Sequence, residues 1–407
     1  MLTIDEAQRI VLESVSALPA EPMPLLQALG CVLAEPVAAQ IPLPPFDNSA
    51  MDGYAVIAAD TRGASPATPR VLKVIEDLPA GTAPAQRVQP GNAARIMTGA
   101  PVPAGANAVV MVEDTRPGAD GTVEIMREAE GGDNIRPAGE DIARGQVALS
   151  AGQMLGSGEL GLAAALGCSH VVAVRRPRAA IVTTGSELIE PGQELVPGAI
   201  YNSNQVTLAS RVLSAGAEVA RCLHAADEPA AVEEALRQCA QADIILTTGG
   251  VSVGDYDFVK VALERLGEIK FWKVLMKPGK PVAFGDVLGR PLFGLPGNPV
   301  SALVTFELLV VPALRKMAGR KDCLPVTVQA RLLADLPHKP PRREYVQAFT
   351  EHTAAGYTVL PSRKRGSAML TSTVGANSLV VIPEESKGLR AGEMADVILL
   401  AGVGAAV

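Results

Sequence analysis

The chain has 407 residues, of which 48% are hydrophobic and 19% charged, and its formal net charge is −7. This length predicts two to four domains rather than a single core. An acidic chain with only 3% aromatic residues is poorly suited to nucleic-acid binding, and no apolar run is long enough to span a bilayer.

The N-terminus, MLTIDEAQRIVLESV, has the pattern of an acidic amphipathic helix and lacks the layout of a signal peptide, which predicts a cytoplasmic protein. The five cysteines contain no CxxC spacing, and the four histidines are scattered. A structural zinc site and a Ser-His-Asp arrangement are therefore not expected. The cysteines are expected to be reduced thiols.

The first half of the chain predicts a discontinuous domain with an insertion. Residues 1–44 contain two helical patterns, TIDEAQRIVLESV and PLLQALGCVLAEPV, and residues 140–175 contain a third, SGELGLAAALG. Between them, residues 45–139 form a predicted β-rich module. Its strand-like runs, separated by Gly and Pro, are YAVIAAD, RVLKVIEDL, ARIMTGAPV, AVVMVEDT and GTVEIMRE.

Residues 176–320 alternate strand and helix patterns. The predicted strands are RAAIVTTG, AEVARCLHA, ADIILTTGG and RPLFGL, and helices are predicted in SNQVTLASRVLSAG, after Glu228-Pro229, in FVKVALERLG and in PVSALVTFELL. The apolar faces of the first two helices are expected at Val206, Ala209, Val212 and Leu213, and at Val232, Leu236 and Cys239. This rhythm predicts a mostly parallel sheet with helices on both faces.

The last region, residues 321–407, returns to short strands, in VTVQARLLADL, EYVQAFT, YTVLPS, SLVVIPEE and MADVILLA. Such a series predicts a small C-terminal β-barrel. The expected fold class is thus multidomain α/β plus β: a helical and mixed N-terminal domain, an inserted β-rich module, a parallel α/β domain and a β-barrel.

Ligands of open α/β sheets bind beyond the carboxyl ends of the strands, where TTGSE, TTGGVSVGDYD and GLPGNP lie in this sequence. In the second turn, glycines allow backbone N–H groups to approach an anion, and hydroxyl groups add donors. The residues concerned are Thr247, Thr248, Gly249, Gly250, Ser252 and Gly254. A glycine-rich turn without a ligand explains the same residues, so both interpretations stand.

Acidic residues follow several of these strands. Asp255 and Asp257 come directly after the glycine turn; one of them would cap the next helix, and a second acid would suit Mg²⁺ beside a phosphate. Asp227 precedes a helix that Pro opens, so a capping role would explain it. Glu187 in TTGSE has no such explanation.

Cationic and turn residues could complete an anion site. KFWKVLMKPGKPVAFG contains Lys273, Lys277 and Lys280, which form either a solvated edge or a site that neutralises a charged ligand. The prolines of GLPGNP, Pro296 and Pro299, make a rigid loop at a helix N-terminus. Four further polar residues lie near glycines of the β-rich module and its flank, and a structural role in a turn would also explain each of them. They are Thr98, Arg136, Glu140 and Asp141.

Taken in order, seven motifs resemble the molybdopterin molybdenumtransferase family, which includes MoeA and the gephyrin E domain. They are DNSAMDGYAV, RIMTGAPVP, NIRPAGEDI, TTGSEL, TTGGVSVGDYD, KPGKPVAFG and GLPGNPVSA. The resemblance implies a homodimer of four-domain subunits that inserts molybdate into adenylylated molybdopterin and releases AMP with Mg²⁺ present. It also implies a cleft shared between subunits and a molybdopterin adenylyltransferase as a possible partner.

The resemblance carries functional roles to individual residues. Asp257, with Asp227 or Glu187, is expected to bind the metal, and Lys273 and Lys277 to bind phosphate or molybdate. The full set of residues implied by motif is Asp52, Thr98, Arg136, Asp141, Glu187, Asp227, Asp257, Lys273, Lys277, Pro296, Pro299 and Ser367. Asp52, at an Asp52-Gly53 pair expected to form a tight turn, is predicted to serve the other subunit's active site.

The sequence departs from the family pattern at two positions. REYVQ has Gln347 where relatives commonly have Arg. If that Arg helps to bind molybdate, either the affinity is lower in this chain or another cation replaces it, the candidates being Arg342, Arg343, Lys364 and Arg365. TTGSE has Ser186 where some relatives have an acid. Two other functions are also considered: a non-catalytic dimeric scaffold of the gephyrin E type, and a molybdopterin adenylyltransferase.

Overall fold

The structure, a computed structural model, describes residues 1–250 and 258–400. The chain forms two compact units. The first comprises Met1–Glu21, Gly30–Ala34 and Val172–Val407, and the second comprises Pro22–Leu29 and Glu35–Val171. Within the described residues, none of the helices is both long and apolar enough to cross a membrane.

The described part of the chain contains seven α-helices, and a π-helical segment, Phe306–Val310, joins the last two. The helices are α1 (Ile4–Ser14), α2 (Ser157–Ala165), α3 (Ser203–Ser214), α4 (Pro229–Gln238), α5 (Phe258–Leu266), α6 (Pro299–Thr305) and α7 (Val311–Met317). Helix α1 begins at a capping box, in which Thr3 and Glu6 bond each other's backbone N–H groups.

Most strands of the first half belong to the second unit. They are β1 (Ala20–Pro24), β2 (Val32–Leu33), β3 (Val37–Ala38), β4 (Asn48–Ser49), β5 (Gly53–Val56), β6 (Arg70–Leu78), β7 (Asn92–Ile96), β8 (Ala108–Met111), β9 (Thr115–Pro117), β10 (Thr122–Ile125), β11 (Ile135–Arg136), β12 (Val147–Leu149) and β13 (His170–Val174). A six-stranded sheet has the order β8-β5-β7-β6-β10-β9. It contains all five strand-like runs predicted for the β-rich module.

The second predicted helix, PLLQALGCVLAEPV, is wrong. The segment forms only a short 3₁₀ turn, Leu25–Ala28, followed by strands β2 and β3. Leu26 and Leu29 are 87% and 50% exposed, so these leucines do not form the buried face that a packed helix would need. Strand β2 instead buries its side chains and pairs with β13, because a tertiary partner overrides local propensity.

Strands β14 to β22 build the α/β part of the first unit. They are β14 (Arg178–Thr184), β15 (Leu188–Ile189), β16 (Ile200–Tyr201), β17 (Glu218–Ala225), β18 (Ile244–Thr248), β19 (Gly267–Lys273), β20 (Met276–Lys277), β21 (Pro281–Val287) and β22 (Arg290–Leu295). The sheet order is β17-β14-β18-β22-β21-β19. The first four strands are parallel, whereas β21 and β19 join antiparallel.

Helices cover both faces of this sheet, as predicted. Ile181 of β14 packs in one apolar cluster with α3, and Val182 packs in another with α4 and α5. In α3, Leu208 and Val212 are fully buried, whereas Val206 and Leu213 are 58% and 60% exposed. Of the four residues predicted for the apolar face, Val212 and the partly buried Ala209 pack in the core, so the prediction was right for half of the face and wrong for the other half.

The C-terminal strands form the predicted barrel. They are β23 (Thr327–Leu332), β24 (Leu336–Pro337), β25 (Arg343–Thr353), β26 (Gly356–Pro361), β27 (Ser378–Ile382), β28 (Gly388–Leu389) and β29 (Met394–Leu399). The order β25-β26-β23-β29-β27 closes because β27 also pairs with β25. Strand β20 joins β25 in parallel and sets Lys277 beside Glu344, which attaches the barrel to the α/β sheet.

Candidate functional site

A cavity of about 930 Å³ lies in the first unit, where the parallel strands end. Its walls come from the turns after these strands, the start of α3, residues 277–281, and barrel residues within 342–347 and 365–368. Ten of the predicted site residues line it: Glu187, Asp227, Thr248, Gly249, Gly250, Lys277, Lys280, Pro296, Pro299 and Ser367. Lys273 is not among the described lining residues, and Ser252 and Asp257 lie outside the described part of the chain.

The turn after β18 requires glycine. Gly249 and Gly250 have φ angles of +97° and +63°, a region that residues with a Cβ rarely adopt. A Cβ on Gly249 would lie 2.3 Å from the carbonyl oxygen of Thr184 at the end of β14. The turn thus packs tightly against the neighbouring strand and presents bare backbone to the cavity.

A hydrogen-bond network joins this turn to two other walls. Asn204 donates from Nδ2 to Thr248 Oγ1 at 3.0 Å and to the Gly297 carbonyl at 2.7 Å, and Thr248 Oγ1 donates to the Pro296 carbonyl at 3.0 Å. Among the described residues, nothing bonds the buried oxygens Asn204 Oδ1 and Thr184 Oγ1. Buried acceptors beside a cavity are suited to the donors of a ligand. The sequence analysis missed Asn204, which is the second residue of α3.

The acidic wall is formed by Asp227 and Glu187. Asp227 Oδ2 accepts the Ser186 N–H at 2.9 Å, so this carboxylate braces the TTGSE turn. The expected capping role does not apply, since the N-cap of α4 is Glu228. Within residues 1–250 and 258–400, no three acidic, His or Cys side chains cluster as a complete metal site.

The cationic wall is organised by Glu344, a residue that the sequence analysis missed. Glu344 is only 4% exposed, and its Oε1 lies 3.1 Å from Lys277 Nζ and 2.8 Å from Arg365 Nη2. Its Oε2 lies 2.7 Å from His338 Nδ1. Burial alone would raise the pKa of this carboxyl, but the hydrogen bonds from His338, Arg365 and Lys277 together lower the pKa, so Glu344 stays ionised.

The four candidate replacements for a cation at position 347 differ in their surroundings. Gln347 itself lines the cavity and is 8% exposed. Arg342 and Arg365 line it too, and the described lining residues do not include Lys364. Arg343 instead pairs with Asp5 and Glu384, each at 3.0 Å.

In the second unit, the structure brings Asp52 and Thr98 together. Asp52 Oδ1 accepts both the N–H and the hydroxyl of Thr98 at 2.7 Å, and these bonds lower the pKa of the exposed Asp52 carboxyl. Gly53 is the first residue of β5, and neither Asp52 nor Gly53 has the positive φ that makes Asp-Gly typical of tight turns, so the tight turn expected at this pair was wrong. Gly53 is needed because a Cβ there would lie 1.9 Å from the Val110 carbonyl oxygen.

The two remaining predicted residues of this unit are exposed. Arg136 pairs with Asn48 in a two-stranded ladder, and the Asp141 N–H donates to the Leu43 carbonyl at 2.9 Å. Backbone bonds therefore hold both positions, and their side chains are free to contact solvent or a ligand.

Three family profiles match the chain in succession. The MoeA N-terminal region (domain I and II) matches residues 2–167, the probable molybdopterin binding domain matches residues 180–316, and the MoeA C-terminal region (domain IV) matches residues 329–400.

Named relatives resemble the chain over almost its full length. Molybdopterin molybdenumtransferase 2 of Mycobacterium tuberculosis is 44% identical over 404 residues, covering 98% of this chain and 99% of the relative. Molybdopterin molybdenumtransferase of Staphylococcus aureus is 34% identical, covering 98% and 95%. A molybdopterin biosynthesis MoeA protein of Pyrococcus horikoshii, a solved structure, superposes with a TM-score of 0.80 at 33% identity, covering 98% of this chain and 100% of that chain.

Proposed function

The chain belongs to the molybdopterin molybdenumtransferase family, and we propose that it inserts molybdate into adenylylated molybdopterin and releases AMP. The observation that carries this proposal is a single cavity with an acidic wall, a cationic wall and a glycine turn between three strand ends. Such a cavity suits a ligand that has several phosphate charges, a polar ring system and a second, separate anion as co-substrate.

Different residues of the cavity are suited to bind different groups of the substrate. The backbone of Gly249 and Gly250 and the hydroxyl of Thr248 suit the adenylyl phosphate, because N–H and O–H donors stabilise anions without adding bulk. Cleavage of a phosphoanhydride builds negative charge on the leaving phosphate. Lys280, which is exposed at the cavity wall, is placed to offset that charge.

The acidic wall fits Mg²⁺. Asp227 and Glu187 offer carboxylate oxygens, which this hard cation prefers, and Mg²⁺ commonly takes only one or two carboxylates and completes its shell with phosphate oxygens and water. We assign the metal to these two residues together with Asp257. When bound, Mg²⁺ would supply neutralising charge at the phosphates.

The resemblance further supports a cytoplasmic homodimer whose active site takes residues from both subunits. Asp52 is exposed and ionised, and its oxygen is fixed by Thr98, so its side chain is suited to act on a charged group outside its own unit. Arg136 and Asp141, also exposed, would serve the same shared site. A molybdopterin adenylyltransferase is the proposed partner that supplies the substrate.

Purified protein supplied with adenylylated molybdopterin, molybdate and Mg²⁺ tests the function. We expect AMP release that depends on both molybdate and Mg²⁺, together with formation of active molybdenum cofactor. The absence of both products would overturn the proposal. An unchanged rate in Asp257→Ala would favour the scaffold, and ATP-dependent adenylylation of molybdopterin by this protein alone would favour the adenylyltransferase.

A further inference from the structure

We infer that Arg365 is a binding residue for the oxyanion substrate and that buried Glu344 is the positioning residue for Arg365 and Lys277. The inference rests on the proposed function, because it takes molybdate to be the anion at the cationic wall. It names the residue that supplies the positive charge absent at Gln347, and it gives a role to Glu344, the acid of REYVQ, to which the sequence analysis assigned none.

The geometry begins with strand pairing. Strand β20 lies parallel to β25 with Lys277 opposite Glu344, so the lysine and the acid meet at the junction of the sheet and the barrel. Arg365 reaches the same oxygen of Glu344 from the loop before Ser367, and it also donates to the Pro337 carbonyl at 3.1 Å. Two cations from separate parts of the chain are therefore held by one atom, Glu344 Oε1.

The charges at this wall do not cancel. One carboxylate faces two basic side chains, so the basic groups outnumber the acid at this contact beside the cavity. The Lys277 and Arg365 side chains are 45% and 28% exposed, and the contacts above occupy only part of their N–H donors. A tetrahedral dianion provides the matching charge and acceptors.

Neighbouring polar groups complete the site. Ser367 Oγ accepts from Asn298 Nδ2 at 3.0 Å, which leaves the hydroxyl proton to donate to a ligand. Gln347 adds an uncharged amide on the same cavity wall. Arg365 is the one candidate among the four considered that both lines the cavity and bonds to Glu344, since Arg343 is engaged by Asp5 and Glu384.

The test of Arg365 measures molybdate affinity in the full chain, by calorimetric titration with molybdate alone and by the molybdate KM for AMP release. Arg365→Gln should weaken both by about 10- to 100-fold, the range for losing a hydrogen bond to a charged group. Arg365→Lys should recover part of this loss because it retains the charge. The matched control, Arg363→Gln, changes an exposed arginine of the same loop that does not line the cavity, and should stay within about twofold.

Each outcome has a distinct meaning. Unchanged affinity in Arg365→Gln, or an equal loss in Arg363→Gln, would overturn the assignment, because the latter indicates a general effect of charge. If the unaltered protein binds molybdate but releases no AMP, the proposed function fails while the binding titration still decides the role of Arg365.

Glu344→Gln separates positioning from binding. This change removes a negative charge near the anion, so the molybdate KM should not rise, yet kcat should fall because Lys277 and Arg365 are no longer held together. Thermal unfolding gives the folded fraction by which rates are corrected. A corrected kcat equal to that of the unaltered protein would overturn the positioning role.

Discussion

Replacing Gly249 with alanine tests whether the turn beside the cavity depends on close packing. The added Cβ would lie 2.3 Å from the Thr184 carbonyl oxygen and 2.6 Å from Thr184 Oγ1. The carbonyl belongs to the end of a buried strand, so it cannot rotate away as a flexible side chain would. The turn itself must move, and the backbone that lines the cavity moves with it.

The expected cost has two parts. A residue with a Cβ at positive φ costs about 1–2 kcal/mol in backbone strain. Forcing an extra methyl group into a packed region adds about 1–3 kcal/mol. Gly216→Ala is the matched control, because Gly216 has φ +82° and no atom within 4 Å of an added Cβ, so it carries the strain without the clash.

Urea unfolding followed by the fluorescence of Trp272 measures this difference. Trp272 is the single tryptophan of the chain and lies in β19 of the same sheet, so it reports on the part of the protein that is altered. We expect Gly249→Ala to lose more stability than Gly216→Ala and to release AMP more slowly per folded molecule. Equal losses of stability in the two variants would refute the packing argument.

Three further predictions follow from single carboxylates. Asp52→Asn should leave the fold and the proposed homodimer intact but slow AMP release, and a normal rate would restrict Asp52 to holding Thr98. Asp227→Asn should raise the Mg²⁺ concentration that gives half-maximal AMP release; an unaltered Mg²⁺ dependence would argue against a metal at this wall. Asp243→Asn should lower the free energy of unfolding by about 3 kcal/mol at neutral pH, because it breaks a largely buried ion pair with Arg175. Burial opposes ionisation of Asp243, but hydrogen bonds from Arg175 and the Arg178 N–H lower its pKa in the folded protein. The stabilisation by the ion pair is therefore present above the pKa of Asp in the unfolded chain, and it disappears as pH falls through the pKa of Asp243 in the folded protein. Unfolding curves of Asp243→Asn and the unaltered protein should therefore converge in acid, and a constant gap would contradict the assignment.

The α/β sheet and the barrel could be predicted because their signals are local. In β14 and β18 an apolar run ends in a Thr-Gly turn. Helix α3, which comes after β14, begins at an Asn202 cap, and helix α4, which comes after β17, begins with Pro229. The helix expected at PLLQALGCVLAEPV failed for the opposite reason. Part of this segment forms a strand because Leu33 pairs with Ala173, a residue too far along the chain to appear in any local sequence window.

The contrast between local sequence signals and contacts between distant residues also explains which site residues could be predicted. Glu187, Asp227 and Gly249 follow strands that the sequence reveals, and the carboxyl ends of parallel strands meet at one edge. Glu344 lies inside a barrel strand and Asn204 inside a helix, where a polar residue is usually a solvated one. Their importance comes from partners far along the chain, Lys277 for Glu344 and Thr248 for Asn204.

The charge separation across the cavity follows from the way its parts are joined. Asp227 and Glu187 come from turns of the parallel sheet, whereas Lys277 meets Arg365 at Glu344 because the two-residue strand β20 extends the barrel. Disturbing this pairing would therefore displace Lys277 from Glu344 while leaving Asp227 bound to the TTGSE turn. Binding of molybdate should thus depend on the barrel, and binding of Mg²⁺ should depend on the parallel sheet.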